Sequence, residues 1–215
     1  MTRPPYVDPV DLVWIRAAAR CGLRVVTSRE VYASWDGAGE LSIAHPDDRD
    51  PDDCVAQLVL HEMCHALVEG RAAWSERDWG LCNHDDRDLV REHAAHRVQA
   101  WLTAPHGLRV LLAPTTEHRV YYDALPEDPL AACDDPALEP ARAGCRLAED
   151  GPWTAPLTDA LAATAAIARA AAPFAAGATL WSSVRADSGR PADAAGSPDR
   201  RGPGRPSPRV APGPR

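Results

Sequence analysis

Apolar positions along the chain follow two periods, one of about 3.6 residues and one of two, and their alternation predicts an α+β fold. Asp8-Pro9 opens a run in which Val10, Leu12, Val13 and Ile15 lead into an alanine stretch. This predicts a first helix ending near Cys21-Gly22, with the glycine as its stop. Leu23 to Thr27 (LRVVT) predicts a strand. Val31 to Trp35, the glycine turn Asp36-Gly37-Ala38-Gly39, and Glu40 to Ile43 predict a hairpin, so a small antiparallel sheet is expected.

A second helix is expected from a cap at Asp52 or Asp53, through Cys54 to Val68, to a stop at Gly70. It is apolar on nearly every face, the mark of a central helix buried by its neighbours. An irregular connection carrying Trp74 and Trp79 leads to a further helix, Asp85 to Leu102, periodic through Leu89, Val90, Ala94, Val98 and Trp101 and ending before Pro105. Leu108 to Leu112 and Val120 to Leu125 read as short packing segments. Leu157 to Ala172 reads as an alanine-rich helix stopped by Pro173.

Composition changes this picture at the C-terminal end. Arg185 to Arg215 holds seven prolines and five glycines in 31 residues, too little apolar surface to fold. One globular domain over 1–183 and a disordered Pro/Gly/Arg-rich tail over 184–215 are therefore expected. No lysine occurs in the chain. The net charge of −8 divides into +4 on the tail and −12 on residues 1–184. An acidic body repels nucleic acid and anionic membranes, so weak contact with nucleic acid is left to the tail alone. No signal-peptide run follows Met1-Thr2-Arg3-Pro4-Pro5 and no stretch approaches about 20 apolar residues, so a cytoplasmic protein is expected. In a reducing compartment the six cysteines, with no CxxC pair among them, are expected as thiols.

The strongest chemical signal is His61-Glu62-Met63-Cys64-His65, an HExxH inside a predicted helix. Positions i and i+4 share a helix face, so both imidazoles can reach one zinc ion, and Glu62 stands beside the metal's open position as general base. The bland alternative, two histidines satisfied inside a buried helix, leaves polar groups in an apolar setting without a partner. A catalytic zinc needs a third protein ligand, and Asp88, Glu92, His93 and His96 are the candidates. The metzincin continuation is excluded, because Val68 and Arg71 stand where it needs glycine and histidine. A gluzincin takes a glutamate from a following helix with a polar residue one turn later, the pattern of Glu92 and His96. His96 then either orients Glu92, enters the metal shell, or lies on the surface.

The segment Glu92-His93-Ala94-Ala95-His96-Arg97-Val98-Gln99-Ala100-Trp101-Leu102, ending at Pro105, resembles the E-x-x-A-N-x-F-A-x-x-L segment that follows HExxH in the ImmA/IrrE type of zinc metallopeptidases. Glu92, Ala95, Leu102 and the spacing of 27 residues from His65 to Glu92 agree; His96, Val98 and Gln99 replace asparagine, phenylalanine and alanine. The resemblance spans Asp53 to Pro105. It implies a zincin-like fold with a small sheet beside the active helix, His61, His65 and Glu92 as zinc ligands, Glu62 as the catalytic carboxylate, and cleavage of a protein or peptide substrate, a regulatory protein among the options.

Other groups have plainer explanations. Cys64 points away from the shared histidine face, as a small buried thiol. Cys82 with His84 offers a soft ligand pair, although a loop with capping aspartates accounts for it. Tyr121 and His118 are the available oxyanion donors. Two alternatives to a peptidase remain: a catalytically silent regulatory or protein-binding module on the same zinc fold, and a zinc-stabilised interaction module with a DNA-binding tail. Four protein ligands, with His93 or Cys82 added, would mark a structural site.

Overall fold

The computed structural model describes residues 6–50, 53–82, 88–114 and 119–175. The chain divides into two units, Met1–Pro173 and Phe174–Arg215. The expected tail over 184–215 lies outside the described residues, as do His84 and His118. Among the described residues no helix is long and apolar enough to cross a membrane.

The first unit is α+β: among its described residues are six α-helices, the last running on to Ala175, and one three-stranded sheet. Helix α1 (Pro9–Arg20) starts as its sequence requires, with Asp8 Oδ1 accepting from the Val10 amide at 2.8 Å and proline at the first helical position. Strands β1 (Arg24–Ser28), β2 (Ala33–Trp35) and β3 (Glu40–Ala44) lie in the order β1-β3-β2. The β2–β3 hairpin is present, and Asp36 Oδ1 organises its turn by accepting from the amides of Ala38, Gly39 and Glu40 at 2.7–2.9 Å.

The sheet is mixed, which corrects the antiparallel expectation. β3 inserts between β1 and β2 and runs parallel to β1. The cause is burial: β3 carries Leu41 and Ile43, 0% and 1% exposed, and the central position pairs both of its edges while covering them. An ion pair between Arg24 and Glu40, register partners, fastens β1 to β3.

Helix α2 (Val55–Glu69) is buried on almost every face and ends at Gly70, whose φ of 79° suits glycine. Its cap differs from the expected aspartates. The described one, Asp53, receives the Tyr32 hydroxyl. Cys54 is the N-cap, its Sγ accepting from the Gln57 amide at 3.4 Å, and Asp11 Oδ1 on α1 accepts from the Ala56 amide at 3.0 Å. Helix α3 (Leu89–Thr103) packs along α2. The expected start at Asp85 falls outside the described residues.

Helix α4 (Arg119–Ala124) is short. Helix α5 (Leu138–Asp150), not expected from the sequence, packs on both α2 and α3 and fixes the pair. Gly144 permits the approach, since a Cβ there would stand 3.0 Å from Val98 Cγ2 and 3.3 Å from the Leu67 backbone carbon. Helix α6 (Thr154–Ala175) runs through Pro173 instead of stopping before it. It meets α1 where Trp14 Nε1 donates to Thr164 Oγ1 at 3.1 Å.

A candidate metal centre between two helices

α2 and α3 present facing polar stripes inside an apolar core. His61 and His65 lie one turn apart on α2; Glu92, His96 and Gln99 recur at steps of four and three on α3. The Nε2 atoms of His61 and His65 approach to 3.0 Å. Glu92 spans them, with Oε1 3.0 Å from His61 Nε2 and Oε2 3.1 Å from His65 Nε2. His96 Nε2 lies 3.1 Å from Glu92 Oε1, and its ring stacks on His61 with centroids 4.8 Å apart. His96 is thus no surface residue: its side chain is 2% exposed, against 23% for Glu92.

Among the described residues, His61, Glu92 and His96 form a group whose ligand atoms all lie within 4.8 Å of one another and which could hold a metal ion. His65, at the distances above, borders the same point. Imidazole nitrogens and a carboxylate are the donor set zinc takes, and ligand atoms about 2.0–2.1 Å from a tetrahedral zinc stand about 3.3 Å from each other. The spacings of 3.0–3.1 Å fit one ion.

Hydrogen bonding prepares His61 for that role. Gln99 Nε2 donates to the Leu112 carbonyl at 2.6 Å, which fixes the amide orientation and turns Oε1 toward His61. His61 Nδ1, 3.0 Å away, must then be the donor, so the neutral ring presents a lone pair at Nε2 to the group. Nothing in the sequence beyond its place on the α3 stripe and its departure from the alanine of the ImmA/IrrE segment marks Gln99 for this role.

The groups at this point bias one another's charge. Burial opposes charge on His61, yet Glu92, Glu62 and Gln99 outweigh it and lift its pKa to about 9. Burial alone would raise the Glu92 carboxyl; the adjacent His65 and His61 hold it far below the usual carboxylate range. Burial, helped by charge on His61, brings His96 down to about 4 against the pull of Glu92. The group is therefore a compact arrangement of positive and negative partners that a cation can replace proton for metal.

Glu62 stands beside His61, and its Oε2 accepts from Trp79 Nε1 at 3.3 Å. Trp79 belongs to the irregular connection of two 3-10 segments, Arg71–Ser75 and Arg77–Gly80. Asp78 and Trp79 adopt φ of 49° and 58°, left-handed conformations that cost a non-glycine residue about 1–2 kcal/mol each. Sheet contacts hold them there. Asp78 Oδ1 accepts from Ser34 Oγ at 2.6 Å and from the Trp35 amide at 3.0 Å, and the Trp35 ring stacks on Trp79 with centroids 4.8 Å apart.

The remaining candidates fall elsewhere. His93 stacks on Tyr121 with centroids 3.6 Å apart, away from the metal group. Tyr121 is committed: its hydroxyl donates to Asp135 Oδ2 at 2.7 Å and accepts from Arg97 Nε at 2.7 Å, and burial pushes its pKa well above the ordinary phenol value. It is not poised as an oxyanion donor. Cys64 is buried in the core, its thiol pushed well above the ordinary range by burial. The Cys82 amide donates to Asp88 Oδ2 at 2.7 Å, and neither residue joins the metal group.

No family model matches the chain, and comparisons with curated proteins and with solved structures give no match.

Proposed function

We propose that this chain is a zinc-dependent peptidase of the zincin type, cleaving a protein or peptide substrate at the group formed by His61, His65, Glu92 and Glu62. One observation carries the reading. Two imidazole Nε2 atoms and one carboxylate converge at 3.0–3.1 Å, while a second carboxylate, Glu62, next to His61 on α2 and close enough to act on its charge, lies outside the ligand group.

Zinc, when bound, supplies Lewis acidity and lowers the pKa of a water in its open position to about 7. The chain supplies the rest. His61 and His65 offer Nε2, Glu92 its carboxylate, and Gln99 and His96 hold His61 and Glu92 in place. Glu62 takes a proton from the attacking water and returns it to the departing amine as the C–N bond breaks, ending in its starting ionisation state. The resemblance of Glu92 to Leu102 to the ImmA/IrrE segment supports a regulatory protein as the substrate class.

The test pairs metal content with turnover. Full-length protein purified without chelator should carry one zinc per chain and cleave a fluorogenic peptide library. Glu62→Gln should keep the zinc and lose turnover by several orders of magnitude. Retained zinc together with unchanged turnover would sink the peptidase reading.

The placement of His96 favours one alternative. With His96 Nε2 3.1 Å from Glu92 Oε1 and inside the ligand group, four protein ligands can close the site, as in a structural zinc centre. The chain would then be a catalytically silent, zinc-stabilised protein-binding module. X-ray absorption distinguishes the two: three protein ligands plus a light oxygen scatterer fit the peptidase, four protein ligands the module.

A further inference from the structure

We infer that Trp79 is a positioning residue for Glu62, and that the β2 edge of the sheet holds it in that role. The inference rests on the peptidase reading for its catalytic consequence, though not for the contact itself. Trp79 is 2% exposed and lies in the apolar core, yet its one polar atom is spent on Glu62 Oε2 at 3.3 Å. A buried indole N–H needs an acceptor, and a backbone carbonyl is the commonest one. Here the acceptor is the carboxylate next to the first histidine of HExxH.

The backbone is bent to make this contact. Asp78 and Trp79 both sit at positive φ, a conformation that a bulky tryptophan adopts only under outside constraint. Three contacts impose it: Ser34 and Trp35 donate to Asp78 Oδ1, and the Trp35 ring stacks on Trp79 at an interplanar angle of 6°. A chain of contact therefore runs from β2 through Asp78 and the stacked rings to Glu62. With Oε2 held by the indole, Oε1 is left as the oxygen that moves the proton. A carboxylate fixed at one oxygen does not swing between rotamers, and misplacement of a proton-transfer group is felt in the chemical step more than in substrate binding.

The experiment replaces Trp79 in the full chain by Phe and, separately, by the benzothiophene isostere of tryptophan, which keeps the stack on Trp35 and deletes only the N–H. Both variants should retain one zinc per chain. On the fluorogenic peptide library the isostere should lower kcat about 10- to 100-fold with KM little changed. Restoring tryptophan by the same incorporation route should restore kcat. A second readout is independent of activity: the indole 15N–H resonance of Trp79 should move on Glu62→Gln. Wild-type kcat in the isostere, or an indole resonance indifferent to Glu62→Gln, overturns the inference. If the wild type cleaves nothing, the peptidase reading fails, and the indole resonance still decides whether Trp79 holds Glu62.

Discussion

Gln99 Oε1 lies 3.0 Å from His61 Nδ1, and the same amide is anchored through Nε2 on the Leu112 carbonyl at 2.6 Å. One fully buried side chain thereby sets the tautomer of the first HExxH histidine and ties it to the loop after α3.

Gln99→Leu takes the acceptor from His61 Nδ1–H and the amide donor from the Leu112 carbonyl. Outer hydrogen-bond partners of metal-ligating histidines are typically worth about 10- to 100-fold in metal affinity. Zinc affinity, measured by chelator competition, should fall by that amount while the protein stays folded. Unchanged affinity would show that the tautomer of His61 is set elsewhere.

His96→Asn distinguishes support of Glu92 from coordination. On the peptidase reading the asparagine can still hydrogen-bond the carboxylate, so the variant should keep one zinc per chain with affinity lowered about 10-fold. Loss of the metal on gel filtration, as expected for Glu92→Ala, would make His96 a ligand.

Away from the metal group, Arg97 and Asp135 pair at 2.8 Å, with the Arg97 side chain 4% exposed. Burial would raise the Asp135 carboxyl, but hydrogen bonds from Arg97 and Tyr121 outweigh it and bring its pKa to about 2. The folded value lies below the unfolded value of about 3.9. The stabilisation is therefore present above that unfolded value and lost as pH falls through about 2. Asp135→Asn should cost about 3 kcal/mol at pH 7, because it strands a buried guanidinium. In urea titrations the difference from wild type should shrink as the pH is lowered from 5 toward 2. A difference independent of pH would mean that packing, not the ion pair, is at stake.

The sequence by itself determined where α1, α2 and α3 lie and the pairing of chemistry within the last two. His61 and His65 share a face, and so do Glu92 and His96, because four residues make about one helical turn wherever the helix is placed. Gly22, Gly37 and Gly70, all at positive φ, were legible as stops and turns for the same local reason. The α5 helix was not read from the sequence: its stripe of Leu138, Ala141, Cys145 and Ala148, at steps of three and four, is short of large apolar side chains and interrupted by charged residues.

Tertiary structure decided what one element does to another. That β3 lies between β1 and β2, that Asp11 caps a helix beginning more than forty residues later, that Gln99 faces His61, and that Trp79 reaches Glu62 are relationships between distant stretches. Local periodicity fixes which side of a helix a residue occupies. Which groups stand opposite that side follows only when buried apolar surfaces, here those of α2, α3 and α5, choose one mutual packing, and buried polar atoms must then find partners within it.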